Sequence, residues 1–382
     1  MHENYREFPF RKYAGMLKKS PFRSIFNRNV DETYLRKRVG KYINGYLTHA
    51  KDEQIRMNAA SGGTVTALLI YMMKNNMIDG ALLTGIRINK NQPRPYFFIA
   101  RSPEEILTAQ GSKYAAVSFA AEAVPLLKNF QGRVAVAALP CDAKLLQHLR
   151  EKDPELDQKI QFVITLFCGH NSEPELTDRI VQRLNNENEE LIDFRYRSGL
   201  WRGQITLTFA DRSRVVPFTT FSDYQNLYFL CQRKCLYCED HFGYYGDLSA
   251  GDIWSVDMKS ESIKPTSIIT RNVQAENLLR SAADSGILQS KPVSIDDIFQ
   301  GQIRTARFHY QVSARSRIGR LFGEKIPDTV QAKVRLVEYL IAAIALSNYR
   351  LSRSEIGKRI LFAIPRPVLR LYLYLFKALE SI

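Results

Sequence analysis

The 382-residue chain is predicted to have an α/β fold with a mainly parallel sheet and flanking helices. Buried strands and helices alternate between residues 118 and 170, the order typical of parallel sheets. Two strands there, 133–139 and 159–167, are each followed closely by a cysteine. Inserted β-hairpins over 192–218, a cysteine-rich loop and a C-terminal helical tail complete the predicted architecture.

Three regions are expected from length and composition. The length suits one large α/β domain with additions, or two domains. We expect a basic N-terminal extension over residues 1–42, a main domain over 43–325 and a basic amphipathic helical tail over 326–382. The extension could be a docking arm, a membrane-surface helix or an ordinary surface segment.

A glycine-rich loop precedes the first long helix. Apolar residues at helical spacing follow Ser61-Gly62-Gly63-Thr64, and Ser61 is predicted to cap that helix. A loop of this kind presents free backbone N–H groups to an anion or an electron-rich ring, although a plain helix start has the same residues.

Further strands and helices follow that helix. Strands are predicted over 81–88 and 95–101, then over 266–270 before a helix over 275–286. Between 95–101 and the alternating region lies Gln110-Gly111-Ser112-Lys113-Tyr114. Its glycine, hydroxyl, cation and aromatic ring suit a phosphate or flavin contact, and a surface turn is the alternative.

The five cysteines fall into two groups. Cys141 and Cys168 follow successive strands, so a parallel sheet places both at its carboxyl edge, where ligands bind in open α/β folds. Cys231, Cys235 and Cys238 lie within eight residues of one another. A buried apolar cysteine is the alternative for Cys141 and for Cys168.

Clustered thiolates repel one another unless a metal neutralises them. Cys235 and Cys238 form a Cys-x2-Cys pair, with Cys231 as a further candidate. Four thiolates are the usual ligands of a 4Fe–4S cluster, and Cys141 and Cys168 can complete the set. The same thiolates bind zinc well, so both sites remain open at this point.

The net charge and the expected location limit the kinds of partner that the chain can have. The net charge of +15 implies an acidic partner or a solvated basic surface. No nucleic-acid motif accompanies it, so nucleic acid is not expected as a partner.

With no signal peptide and no disulfide scaffold, we expect a cytoplasmic protein, with the inner membrane surface as a second candidate location. Over residues 331–382, nine basic residues outnumber three acidic ones, which suits either an anionic membrane surface or packing on the protein's own body.

Seven short motifs then occur in one order over residues 43–300. They are Ser61-Gly62-Gly63 with Asp79-Gly80, Gly111-Ser112-Lys113-Tyr114, Pro140-Cys141, Cys168-Gly169-His170, Phe194-Arg195 with Trp201, Cys235-x2-Cys238 and Gly251-Asp252-x-Trp254. In this the chain resembles the family of coenzyme F420 hydrogenase/dehydrogenase beta subunits. The order His-Gly after the family's cysteine is reversed here, and five cysteines suffice for a single cluster.

The resemblance implies an oxidoreductase that couples hydride chemistry at FAD to one-electron transfer through a 4Fe–4S cluster, with coenzyme F420 as a candidate substrate. It implies cluster ligands at Cys141, Cys168, Cys235 and Cys238, with Cys231 ranked lower. It implies flavin contacts at Ser61, Gly62, Gly63, Thr64, Ser112, Lys113, Tyr114, Gly251 and Asp252.

Implied partners are a hydride-carrying coenzyme and an acidic electron-transfer protein, such as a ferredoxin or a partner redox subunit. The alternatives are a zinc-stabilised binding module, or a degenerate member acting as a non-enzymatic, membrane-associated partner. Metal analysis separates the zinc module from the redox protein.

Overall fold

The structure is a computed structural model that describes residues 31–185, 187–199, 203–254 and 265–381. Residues 1–30 of the predicted extension, and Trp201 of the quoted motifs, lie outside the described residues. The strands are β1 (Asn44–Ala50), β2 (Gly80–Asn89), β3 (Gln92–Ala100), β4 (Val134–Ala138), β5 (Ile160–Leu166), β6 (Asp193–Ser198), β7 (Gln204–Thr208), β8 (Ser213–Pro217), β9 (Leu248–Asp252), β10 (Thr266–Thr270) and β11 (Leu288–Val293).

Eight of these strands form one mixed sheet in the order β11-β1-β10-β9-β5-β4-β2-β3. Its centre is parallel, because β9, β5, β4 and β2 pair in the same direction. The flanking pairs are antiparallel. The predicted α/β class is confirmed, and the parallel part is the four-stranded centre.

Helices cover both faces of this sheet. They are α1 (Glu32–Val39), α2 (Glu53–Asn58), α3 (Thr64–Lys74), α4 (Pro103–Thr108), α5 (Val124–Asn129), α6 (Pro140–Arg150), α7 (Pro154–Lys159), α8 (Pro174–Leu184), α9 (Thr219–Gln225), α10 (Val273–Asp284), α11 (Ile295–Tyr310), α12 (Val312–Leu321), α13 (Leu336–Leu351), α14 (Glu355–Ala363) and α15 (Arg366–Ser381). A π-helical turn, Phe119–Ala123, precedes α5, and a 3₁₀ helix, Arg233–Tyr237, lies in the cysteine loop.

Alternating side chains divide the core of the sheet into two layers. Ala135 of β4 packs with α3 and α10, whereas Val134 and Val136 pack with α5, α6 and α7 on the other face. This is the period-two alternation of a strand buried on both sides. Loops that leave the parallel centre therefore meet at one edge of the sheet, between two helical layers.

The strands β6, β7 and β8 form a separate antiparallel sheet. Phe194 and Leu207 of this sheet share a hydrophobic cluster with Leu346, Leu373 and Phe376 of the C-terminal helices. The inner face of the helical tail therefore packs on the protein's own body. Among the described residues, no helix is long and apolar enough to cross a membrane.

The sequence left the basic segment after Ile303 without an assignment, and the structure places the end of α11 and all of α12 there. Arginine and histidine at apolar positions hide its helical periodicity, because their side chains are buried here rather than solvated. His309 and Arg315 are each about 1% exposed.

Candidate functional site

The cysteine cluster, defined as Cys141, Cys168, Cys231, Cys235 and Cys238, is assembled from three loops. Cys141 lies in the first turn of α6, directly after β4, and Cys168 follows β5. Because β4 and β5 are parallel neighbours, both residues lie at one sheet edge, as predicted. The other three come from the loop that contains the 3₁₀ helix, and all five are free thiols.

The thiols are close enough to influence one another. Burial raises the pKa of Cys168 well above its usual value, and the charges of Cys235 and Cys141 act in the same direction. Burial likewise raises the pKa of Cys238 to about 12. The exception is Cys235, whose pKa is lowered because the Cys231 thiol hydrogen-bonds its sulfur. Several thiolates can coexist here only if a metal neutralises them.

Backbone contacts hold the cysteine loop in place. The Asn171 amide donates to the sulfur of Cys235 at 3.4 Å. The Asp240 carboxylate accepts the amides of Gly243 at 2.7 Å and Tyr244 at 2.8 Å. These bonds hold the loop in position.

A cation beside the cluster is paired with a buried acid. Lys234 Nζ lies 3.5 Å from the Asp142 carboxylate, whose side chain is 8% exposed. Burial acts to lower the pKa of Lys234, but Asp142 and the thiolates of Cys141 and Cys235 raise it overall. Lys234 therefore stays charged beside the thiols.

Two buried histidines join the loops that carry the cysteines. The ring nitrogens of His309 lie 3.0 Å from the Cys238 carbonyl and 2.7 Å from the Gly169 carbonyl. His241 Nδ1 lies 3.0 Å from the Cys168 carbonyl. Burial lowers the pKa of His309 to about 4 and that of His241 to about 3. The sequence analysis missed both residues. His309 lies far from every cysteine in the chain, whereas His241 follows Cys238 at a ligand-like spacing that could have identified it.

The donor set suits a soft metal. Cys141, Cys168, Cys235 and Cys238 supply four thiols from three loops, and Cys231 supplies a fifth. Four thiolates are the usual ligands of a 4Fe–4S cluster, and thiolates also bind zinc in tetrahedral structural sites. Within the described residues, no group of three or more His, Cys, Asp or Glu side chains forms a preassembled site for a single ion.

A cavity of about 910 Å³ opens beside the cysteine cluster. This volume is near the upper end of the roughly 300–1,000 Å³ typical of small-molecule and cofactor sites. Cys168 and His170 belong to its wall, so it reaches the cluster. The predicted flavin contacts in its lining are Ser61, Gly63, Thr64, Ser112, Lys113, Tyr114, Gly251 and Asp252.

Gly62 belongs to the glycine-rich loop but is not among the residues that line the cavity. Its amide donates to Thr266 Oγ1 at 3.0 Å, and a Cβ there would stand 2.5 Å from the Thr48 carbonyl oxygen.

The predicted cap at Ser61 is wrong. Gly63, with a φ of 77°, precedes α3 without a side-chain cap, and Ser61 instead hydrogen-bonds Thr266 Oγ1 at 3.0 Å. The chain crosses β10 too closely at this point for Ser61 to turn back onto the helix.

Lys113 lines the cavity but is already engaged. Its ammonium donates to the carbonyl of Ala109, to that of Gln110 at 3.2 Å and to that of Gly111 at 3.1 Å. Burial lowers its pKa to about 7. In this arrangement Lys113 shapes the loop around Ser112 and Tyr114, and its three donors are used within the chain.

Arg197 is the residue that connects the walls of the cavity. Its guanidinium donates to the Asp252 carboxylate at 2.7 Å and to the Ala60 carbonyl at 2.8 Å. It also lies 3.3 Å from the Tyr114 hydroxyl. Charge interaction with Asp252 raises the pKa of Arg197 further, although burial opposes it. One side chain thus joins the glycine-rich loop, the 110–114 loop and β9.

Strand periodicity hid Arg197 from sequence analysis. In β6, Phe194 and Tyr196 point inward and Arg195 points to solvent, so alternation would place Arg197 outside. The pairing with β7 shifts register between Arg195 and Ser198, and Arg197 is 4% exposed. An irregularity of this kind turns a side chain to the other face.

Hydrogen bonds connect the cavity to the cysteine cluster. Gln302 donates its amide to the Asp252 carbonyl, and its side-chain oxygen lies 3.2 Å from His241 Nε2. His241 then contacts the Cys168 carbonyl through its other nitrogen. The segment from Cys231 to Trp254 therefore contributes to both the cluster and the cavity.

Comparison with known proteins gives one consistent family. The model for the N-terminal part of the beta subunit of coenzyme F420 hydrogenase/dehydrogenase matches residues 46–123. The model for the C terminus of the same subunit matches residues 131–296.

The matches to individual relatives extend over most of each relative's length. The chain is 26% identical over 273 residues to the coenzyme F420 hydrogenase subunit beta of Methanosarcina barkeri, covering 69% of this chain and 85% of the relative. It is 23% identical over 262 residues to the subunit of that name from Methanothermobacter thermautotrophicus, covering 67% and 86%.

A solved structure shares the fold. A chain of the F420-reducing NiFe hydrogenase complex from Methanosarcina barkeri, studied by xenon derivatization, superposes with a TM-score of 0.57 at 19% identity. The superposition covers 76% of this chain and 97% of that chain.

Proposed function

This chain belongs to the coenzyme F420 hydrogenase/dehydrogenase beta subunit family and is an oxidoreductase, and from that premise we propose that it binds FAD in the cavity and a 4Fe–4S cluster on its cysteines. When bound, the flavin supplies two-electron hydride chemistry and the cluster supplies one-electron transfer. The observation that carries the proposal is that the cavity and the cysteine cluster share one sheet edge, with Cys168 in both.

Cys141, Cys168, Cys235 and Cys238 would hold the cluster. They are free, mutually repelling thiols from three loops that backbone hydrogen bonds hold in position. Four thiolates match the four irons of a 4Fe–4S cluster, and zinc is the competing group for the same donors. Cys231 then acts on Cys235 through its hydrogen bond rather than as a ligand.

Residues around the cavity would position the flavin. The amides at the start of α3 face a cavity whose walls Arg197 and Asp252 hold together. A helix of 11 residues that begins without a side-chain cap leaves N–H groups for an electron-rich ring edge or a phosphate. Arg304, Arg370 and Lys377 also line the cavity and suit an acidic hydride-carrying coenzyme such as coenzyme F420.

Composition of the anaerobically purified protein tests this proposal. It predicts four irons, four sulfides and one flavin per chain, which follow from one 4Fe–4S cluster and one FAD. A colourless protein with one zinc per chain would instead support a zinc-stabilised binding module. Because the tests count metal and flavin separately, they also identify a protein that retains only one of the two groups.

A second proposal concerns the outer face of the helical tail. We propose that this face meets an anionic membrane surface or, as the competing outcome, a partner redox subunit. Apolar side chains on it are exposed: Leu336, Leu340, Ile356, Ile360, Val368, Leu371, Tyr374 and Leu375. Basic residues flank them, a combination typical of helices that lie at a bilayer interface.

Flotation with vesicles tests the tail, and substitutions are preferable to deletion because the inner face is part of the core. The protein should float with anionic vesicles and not with zwitterionic ones. Leu371→Glu with Leu375→Glu should abolish flotation, whereas Val273→Glu on α10, which is 67% exposed, should not. A parent protein that never floats would leave the partner subunit as the occupant.

A further inference from the structure

Arg315 is a fully buried cation at the start of the C-terminal helices. It lies on α12 and is 1% exposed. Its guanidinium carbon stands 3.7 Å above the ring of Phe308. Nε donates to the Leu236 carbonyl at 2.8 Å, and Nη1 donates to the Phe308 carbonyl at 2.6 Å. These contacts fix the guanidinium in one orientation.

No acidic side chain among the described residues forms an ion pair with Arg315. Its Nη2 also has no hydrogen-bond partner within the described part of the chain. Removing a cation from water without a counter-charge costs several kcal/mol, so a buried guanidinium is normally paired. Aromatic contact with Phe308 returns only about 2 kcal/mol. The charge therefore lacks a partner within the polypeptide that the structure describes.

Tyr228 and the cysteine loop carry the titratable groups that interact electrostatically with Arg315. The Leu236 carbonyl that it holds lies between Cys235 and Cys238 in the chain. Burial lowers the pKa of Arg315 to about 10, while Tyr228 and the thiolates of Cys231, Cys238 and Cys235 raise it. Arg315 and the cysteine loop thus form one electrostatic unit.

We propose that Arg315 is the counter-cation of the metal centre that the cysteine cluster binds. This inference rests on the proposed function, since it needs a cluster with four thiolates and therefore a net negative charge. Arg315 follows the matched family segment, which ends at residue 296, so the C-terminal helices supply this charge. It is a positioning residue that acts on the cluster through its charge and through the cysteine loop.

A fixed positive charge favours the more negative, reduced form of a cluster. Net charge and hydrogen bonding near the sulfurs are the levers by which a protein sets a cluster's reduction potential. Loss of the charge should therefore make the cluster harder to reduce. Lysine keeps the charge but not the planar set of donors, so it should restore most of the potential.

The test compares Arg315→Met, Arg315→Lys and the control Arg320→Met, an exposed arginine on the same helix. Anaerobic redox titration of the holoprotein, followed by the visible absorbance of the cluster, gives each potential. Arg315→Met should lower the ratio of reduced to oxidised cluster at least tenfold at a fixed potential, which is about 59 mV for one electron. Arg315→Lys and Arg320→Met should stay close to the parent.

Unchanged potential in Arg315→Met, with full iron content, overturns the role of Arg315 and leaves the proposed function intact. A parent that assembles no iron–sulfur centre overturns both. Should Arg315→Met fail to fold, Arg315→Gln, a neutral side chain that keeps hydrogen-bond donors, replaces it in the comparison. A potential about 59 mV or more below that of Arg315→Lys supports the role of the charge, and equal potentials in the two variants contradict it.

Discussion

The cysteine cluster and the cavity lie side by side at the carboxyl edge of one sheet, but different kinds of contact hold them. Buried thiols, histidine rings and backbone carbonyls surround the cluster. Apolar and polar side chains line the cavity, and Arg197 joins polar groups from distant segments of its wall. Residue type therefore defines the cysteine cluster, whereas the way in which loops are held together defines the cavity.

The largest expected effect separates the two regions through the cysteines. Replacing Cys235 or Cys168 by Ala should abolish iron binding, because a 4Fe–4S cluster needs all four thiolates. Flavin content should remain close to that of the parent. Cys231→Ala is the matched control and should retain iron, since its thiol donates to the Gln232 carbonyl at 3.5 Å and acts on Cys235 as a neighbour. Iron and flavin assays check this, and equal loss of iron in Cys231→Ala would make Cys231 a ligand.

The next effect addresses the cavity. Arg197→Met leaves the carboxylate of Asp252, whose side chain is 13% exposed, without its cation. Breaking such a buried pair costs about 3–5 kcal/mol of unfolding free energy, and flavin content should fall while iron is retained. Arg195→Met on the same strand removes a solvent-exposed pair with Asp193 and should cost at most about 1 kcal/mol. Denaturant unfolding measures the loss of unfolding free energy in each variant. Equal losses would show that Arg197 does not hold the walls of the cavity together.

The smallest effect concerns the support of the glycine-rich loop. Thr266→Val removes the hydroxyl that accepts the Gly62 amide and contacts Ser61, which should cost about 1–3 kcal/mol. Its neighbour Ser267 has a buried hydroxyl with no partner among the described residues, so Ser267→Ala should be neutral or stabilising. Thermal unfolding of the two variants gives the comparison. A reversed order of stabilities would show that Thr266 does not support the loop.

Much of the cysteine cluster could be predicted from sequence. Cysteine is rare in this chain, and strand order alone places Cys141 and Cys168 at one edge. Arg197, His309 and Arg315 could not be predicted. A register shift turns Arg197 inward, and burial places His309 and Arg315 against carbonyls that are remote in sequence. Eight of the nine predicted flavin contacts do line the cavity, but the sequence did not show which residue joins its walls.

The fold could be predicted from the sequence to a similar extent. The alternation of strands and helices predicted the parallel centre of the sheet. The antiparallel flanks depend on pairings such as that of β1 with β10, which joins segments more than 200 residues apart in the chain. The position of the helical tail followed from neither composition nor charge. Its inner face packs on α9 and the segment after it, through pairs such as Tyr224 with Phe362 and Tyr228 with Phe376 that no local pattern encodes.

The measurement that tests the account most directly is an anaerobic spectrum of the loaded protein after reduced coenzyme F420 is added. The account predicts that absorbance from both the flavin and the cluster is bleached in the parent protein. In Cys235→Ala only the flavin signal should remain to be bleached. An unchanged spectrum in a parent protein that contains both groups would contradict transfer between this coenzyme and the shared sheet edge.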